Sequence, residues 1–436
     1  MTEQRDKWSS NTGFLLSAVG SAVGLGNIWR FPYIMGKDGG AAFLLIYFIF
    51  IFCITSFALI AEISLGKHVK RNCVDAFRYA NKNLSWAGWL MFAAAVLIPS
   101  FYFVVGGWII YYLFTSFSVP PADFGKAFGD MTSKTFLPLF LSSVFLVSCA
   151  FFNFKGVSGG IEKANKIMMP VLFIIMLILA VFSLTLPEMK EALAFMFMPD
   201  YSKLNASVLL DALGQSFFTL SVGVGALMIY GSYMESEHNI IRNSVSIIVF
   251  DTAVAVLAGI IIFPAVFSYG FEPQGGPGLV FVTLPAIFAK MPGGAFFSAA
   301  FFLLLLFSAI TSGISLLEPA SVIIGEKFLI PRKKAVLAVS GIVLLLSVPC
   351  SLSFGILKDF HLFGKTFFDL FDYVTSNILM PVSSLFVCIA VGWFIQKKDK
   401  FSFGCKAFDV IFNVMTKYVL PVALLIILSA GLSGKL

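Results

Sequence analysis

What this chain has least of is charge: Asp, Glu, Lys and Arg make up 12% of its 436 residues, against 59% hydrophobic residues. No soluble core absorbs that much apolar side chain, so a water-soluble globular protein is excluded. Histidine is almost absent, at three residues, and the six cysteines (Cys53, Cys73, Cys149, Cys350, Cys388 and Cys405) include no CxxC pair and no histidine at ligand spacing. A disulfide framework and a Cys/His metal centre are therefore not expected. The chain has no HExxH and no paired membrane aspartates in similar motifs, which argues against an intramembrane enzyme. It also lacks the repeated selectivity motifs of a ring-built channel filter.

What it has instead is eleven apolar runs long enough to cross a bilayer, which takes about 20 residues each. They lie at 12–35, 41–65, 87–117, 136–154, 167–186, 208–233, 241–270, 295–325, 335–353, 367–395 and 410–434. The polar start MTEQRDKWSS has no cleavage pattern, so the first run is read as a retained helix. A cytoplasmic N-terminus puts most of the Lys and Arg residues, from Arg5 and Lys7 to Lys406, on the inner side, and the odd number of spans puts the C-terminus outside. The net charge of +7 then follows from topology and calls for no nucleic-acid partner. The longest connections, near 118–135, 186–207 and 271–294, hide no soluble domain. Residues 1–436 read as one polytopic all-α membrane domain.

Two runs are interrupted. Gly20 to Pro32 reads GSAVGLGNIWRFP and Gln215 to Tyr233 reads QSFFTLSVGVGALMIYGSY. Irregular backbone at membrane depth survives only where protein encloses it, and paired Gly-interrupted spans in two halves of a chain point to a transporter's substrate site. A third signal is Asp251, in VFDTAVAVLAG. A carboxylate at a helix centre costs about 2.5–3.5 kcal/mol to insert, so it needs a function or a partner. The breaker-flanked stretch 272–294 predicts a helical hairpin over the outer mouth.

The runs WSSNTGFLLSAVGSAVGLGNIWRFP (8–32), GQSFFTLSVGVGA (214–226) and SAITSGISLLEP (308–319) resemble the neurotransmitter:sodium symporter family, particularly its bacterial eleven-helix amino-acid transporters. The family is itself an established example of broken-helix transport, so its architecture comes with the resemblance. The resemblance implies a leucine-transporter-like 5+5 inverted repeat, approximately 12–186 and 208–395. Spans one and six would be broken, and an extra helix near 410–434 would follow. The implied activity is symport of a neutral, hydrophobic or aromatic amino acid with two Na+ ions, with no organic cofactor or protein partner required, in a bacterial inner membrane.

By the same resemblance, sodium site one comprises the Ala22 carbonyl, Asn27, Thr219 and Asp251, and site two comprises the Gly20, Val23 and Ser308 carbonyls with the hydroxyls of Thr311 and Ser312. The substrate would meet Ser21, Ala22, Gly24, Gly26, Ile98, Tyr102, Phe218, Thr219, Ser221, Val224, Ser312 and Leu316. Outer-gate residues would be Arg30 and Asp372, with Asp369 one turn earlier sharing the role, and inner-gate residues Arg5 and Glu326 beside Trp8. Many relatives carry Asn where this chain has Asp251, and Ser or Glu where it has Ala255. The departure suggests that Asp251 supplies the fixed negative charge and that chloride is not required. Proton acceptance by Asp251 is the alternative. Glu318, often Gln in relatives, has no role that the sequence assigns.

Overall fold

The computed structural model of the chain describes residues 6–270, 278–395, 399 and 401–433. Among these, nine helices are long and apolar enough to cross a membrane: Ala41–Val69, Lys82–Thr115, Phe136–Phe154, Val157–Ser183, Ile240–Ser268, Gly294–Phe328, Arg332–Leu352, Phe367–Ile395 and Lys406–Leu432. A further span is bent by 48° between Asn11–Ala22 and Gly26–Lys37, and another is split into Ala206–Thr219 and Ala226–Ser232. In chain order the bent and split helices are spans one and six of eleven. Span five starts at Val157, well before its apolar run at 167. The residues that interrupt the hydropathy stay helical because Glu162 and Lys166, one turn apart, form an ion pair at 2.6 Å.

Both breaks have local causes. In span six, Ser221, Gly223 and Gly225 have φ of +51°, +92° and +88°, a left-handed cluster that a right-handed helix cannot contain. Gly223 is also demanded by space, since a Cβ there would overlap the Met380 carbonyl and the Ser384 hydroxyl of span ten. Its N–H, released from the helix, donates to the buried carboxylate of Glu62 in span two at 2.9 Å. In span one, Val23 leaves the helical region at φ −70°, ψ 100°. The released Gly24 N–H then donates to the Asn27 side chain at 3.0 Å, so each break finds its partner inside the protein, as hydrocarbon requires.

Spans three and eight form the centre, each with 72% of its most apolar window buried, whereas span eleven, at 33%, lies at the periphery. The three longest connections carry short helices, Phe124–Thr132, Met189–Phe197 and Leu279–Lys290. The hairpin expected over 272–294 falls partly outside the described residues. Residues 271–277 lie outside the described set, and from Leu279 the segment is a single lid helix. Its Phe281 is buried among Trp29, Trp108, Tyr112, Phe128 and Phe302.

The two ends of the molecule are fastened differently. At one end the N-terminal segment docks: Trp8 Nε1 donates to the Tyr230 carbonyl at 2.9 Å, and the Ser9 N–H donates to Glu162 at 2.8 Å. At the other end the second half of span one and the first half of span six are joined by Lys37 and Asp211, 2.8 Å apart. Beside them Asp38 is 7% exposed, and burial, then the negative charge of Asp211, pushes its carboxyl up to about 7. The folded protein therefore keeps this proton across a range where the unfolded chain, titrating near ~4, has lost it. The native state binds more protons there, so stability falls as pH rises from about 4 to about 7 and is flat above. Asp38→Asn is expected to flatten that part of the curve of unfolding temperature against pH. An unchanged slope would assign the titration to another group.

Candidate functional site

The breaks bring Asn27, Thr219 and Asp251 into one buried cluster. Asn27 Nδ2 donates to Asp251 Oδ1 at 2.8 Å, to the Asp251 carbonyl at 3.1 Å and to Thr219 Oγ1 at 2.9 Å. Thr219 Oγ1 donates to Asp251 Oδ2 at 3.0 Å. Asp251 is fully buried, and among the described residues no Lys, Arg or His forms an ion pair with it. A buried carboxylate with only neutral donors is half of an electrostatic arrangement whose other half is a cation. The donor set of carboxylate, hydroxyl and amide is the oxygen chemistry that a hard cation takes. Ala22 ends the first half of span one, two residues before Gly24, whose N–H meets Asn27.

A second cluster joins the first half of span one to span eight. Ser312 Oγ reaches the Gly20 carbonyl at 3.2 Å and the Val23 carbonyl at 3.1 Å, and Ser308 Oγ reaches the Val23 carbonyl at 3.3 Å. Thr311 Oγ1 donates to the Ser308 carbonyl at 3.0 Å and the Phe307 carbonyl at 3.1 Å. Its hydroxyl is thus held by its own helix, a common habit of membrane Thr. Gly20, Val23, Ser308 and Ser312 are thus brought together, and Thr311 lies beside them, since a Cβ on Gly20 would fall 3.2 Å from that of Thr311.

Between the clusters, the chain at Gly24 passes so close to span eight that a Cβ would lie 2.7 Å from Ser312 Oγ and 3.6 Å from the Tyr102 hydroxyl. Only glycine permits that approach. The Tyr102 hydroxyl is buried without a hydrogen-bond partner among the described residues. A Cβ on Gly26 would lie 3.1 Å from the Phe218 ring. Ser21 Oγ donates to Ser315 Oγ at 2.9 Å, so its hydroxyl is already engaged. Ile98, Val224 and Leu316 are buried apolar side chains, and Ser221 sits in the break of span six.

Arg30 stacks on the Phe218 ring, 4.3 Å from its centroid, but makes no direct ion pair with Asp372, whose Oδ1 accepts from Ser376 at 3.0 Å. Arg30 and Ser376, the residue that donates to Asp372, line one cavity of about 30 Å³, room for about one or two waters. Asp369 does not share this role, because Thr366 Oγ1 donates to its carboxylate at 2.7 Å and the pair caps span ten. At the other end Arg5 lies outside the described residues, and Glu326 accepts from the N–H and side chain of Asn72 at 3.1 and 2.8 Å. The buried charge pair there is Glu318 with Arg332, two contacts at 2.8 and 2.6 Å, joined by the Tyr233 hydroxyl at 2.7 Å.

Sequence reasoning missed Glu62, Ser315 and the role of Arg332. Glu62, in SFALIAEISLG, carries the same intramembrane-carboxylate signal as Asp251. Ser315 lies one turn after Ser312, which is a usable clue. Arg332 looked like a loop charge, because nothing in sequence brings it back onto Glu318. Glu318→Ala leaves a mostly buried guanidinium without its partner and is expected to cost about 3 kcal/mol, read as a lower unfolding temperature. The pair Glu318→Leu with Arg332→Met is expected to recover most of the loss. A single variant as stable as the parent would show that the pair does not hold spans eight and nine together.

The sequence profile of the sodium:neurotransmitter symporter family matches residues 5–125 and 126–433. The sodium-dependent transporter YhdH of Bacillus subtilis is 37% identical over 441 residues, covering 98% of each chain. A sodium-dependent transporter of Haemophilus influenzae is 35% identical over 451 residues, covering 99% of each. The crystal structure of MhsT in complex with L-phenylalanine superposes with a TM-score of 0.90 at 40% identity, over 98% of this chain and all of that one. With facing helix breaks around a buried oxygen cluster and relatives of matching length end to end, the chain belongs to the sodium:neurotransmitter symporter family and is a multi-pass, sodium-dependent membrane transporter.

Proposed function

We propose that the protein is a sodium-driven, chloride-independent symporter of neutral amino acids with bulky apolar or aromatic side chains, working by alternating access. The observation that carries this reading is the Asn27–Thr219–Asp251 cluster at the meeting of the two breaks. In it, a sodium ion takes Asp251, Thr219, the Ala22 carbonyl and Asn27 as ligands. Sodium requires oxygen, so the Asn27 amide turns Oδ1 to the ion and gives up the Gly24 N–H. That N–H, at a broken-helix terminus, becomes a donor for the substrate carboxylate, and the Tyr102 phenol is a second. Ion and substrate are thereby coupled. A second ion takes the Gly20, Val23 and Ser308 carbonyls with Thr311 and Ser312.

No charged residue lies among the assigned side-chain contacts Ile98, Phe218, Ser221, Val224 and Leu316, so a cationic or dicarboxylic substrate would leave a charge unpaired. The small Val224 leaves room for a large side chain, and the phenylalanine in the MhsT structure supports that size class. Asp251 accepts from Asn27 and Thr219 on its two oxygens, the arrangement of an ionised carboxylate. This favours a fixed charge at the ion over a proton acceptor, and with Ala255 beside it no anion is needed. We place the Trp8 end in the cytoplasm and the C-terminus outside, with Arg30 over Phe218 closing the outer side. The repeats 12–186 and 208–395 carry the motion. Each sodium charge moved inward across about 100 mV supplies about 2.3 kcal/mol.

In proteoliposomes, an inward sodium gradient is expected to drive accumulation of labelled phenylalanine equally with chloride or gluconate. Accumulation on a proton gradient without sodium would overturn the role given to Asp251. Asp251→Asn is expected to raise the sodium concentration for half-maximal uptake at least about tenfold, or about 1.4 kcal/mol. Val224→Phe is expected to depress phenylalanine uptake more than alanine uptake, and an equal effect on both would remove Val224 from the pocket.

A further inference from the structure

Away from the breaks, a cavity of about 490 Å³ opens at the Arg30 end, between span three, the segment after it, the lid helix Leu279–Lys290 and the start of span eight. That volume lies within the range of small-molecule sites, about 300–1,000 Å³. Tyr111, Tyr112, Phe124 and Phe288 form its aromatic walls. Its polar patch is hydroxyl, with Ser116 Oγ and Ser298 Oγ 3.0 Å apart. Among the described residues no Asp, Glu, Lys or Arg lines it, so an ion brought in from water would find no counter-charge there.

The surroundings of the mouth indicate where an occupant comes from. Phe114, Phe117, Val119 and Phe296 are 62–91% exposed, and the Phe117 and Phe296 rings touch at 5.4 Å. Contiguous exposed apolar side chains at the end of a membrane span form a patch of the kind that membrane covers, so the cavity continues an apolar surface open to lipid. We propose that it binds an uncharged single-chain amphiphile drawn from the membrane, its hydroxyl-bearing head at Ser116 and Ser298 and its chain against Tyr111, Phe124 and Phe288. Such a ligand would touch Tyr112, which stacks on Phe302 at 5.1 Å and meets Phe281 of the lid helix at 5.5 Å. Phe281 in turn packs on Trp29 of the first broken span at 6.5 Å.

The test uses the full chain in lipid nanodiscs with a diazirine-bearing decanol, its labelling sites mapped by mass spectrometry. Saturable labelling of peptides within 111–127 and 285–298 is expected, protected by excess decanol and not by decanoate or decylamine. Ala295→Trp and Ala289→Trp, which fill the cavity from its exposed side, are each expected to lower this labelling at least tenfold while leaving the unfolding temperature within a few degrees. Non-saturable labelling spread along lipid-facing helices would overturn the proposal. So would protection by decanoate equal to that by decanol, or labelling unchanged in two folded variants. Because the readout is binding, its failure is separate from any failure of the transport reading.

Discussion

The structure depends on how two interrupted helices satisfy their released backbone groups where no water reaches them. An unpaired buried N–H costs about as much as a lost hydrogen bond, and at membrane depth only the protein can supply the partner. Here the partners are side chains from elsewhere: Glu62 takes the Gly223 N–H of span six, and Asn27 takes the Gly24 N–H of span one. One of these groups also enters the buried oxygen cluster. Asn27 bridges the Gly24 turn and the Asp251 carboxylate, so the interaction that makes the break tolerable is the one that links it to charge.

Span eight is the second constraint. Its Ser308 and Ser312 hydroxyls reach span-one carbonyls, its Ser315 holds Ser21, and its Glu318 anchors Arg332 of span nine and Tyr233 of span six. A long central helix with most of its apolar window buried gives a fixed wall against which the jointed spans are positioned. The closing contacts at the two ends differ in kind. Aromatic packing and a carboxylate cap hold the Trp8 end, whereas a cation over a ring and the Lys37–Asp211 ion pair stand at the Arg30 end.

Much was legible in the sequence because membrane constraints are one-dimensional. Eleven runs of sufficient length, two of them glycine-interrupted, become eleven spans with the first and sixth broken, because hydrocarbon thickness sets run length and only special residues break a helix there. Asp251 declared itself by the energy of putting a carboxylate into an apolar run. Glu62 carried the same signal but was read past. The misread start of span five shows the limit of hydropathy, since charges paired one turn apart keep a helix going where the apolar run has not begun.

The sequence by itself therefore determined the membrane class, the number of spans, the places of the breaks and which residues stand at them. Tertiary structure alone decided which distant groups meet. Arg332, a loop charge in sequence, becomes the partner of Glu318. Asp369 becomes part of a cap, and Arg30 rests on Phe218 rather than on Asp372. The physical reason is range: span length and helix breaking depend on a few neighbouring residues and the solvent around them. A charge pair depends on ångström distances between helices whose packing no local pattern specifies.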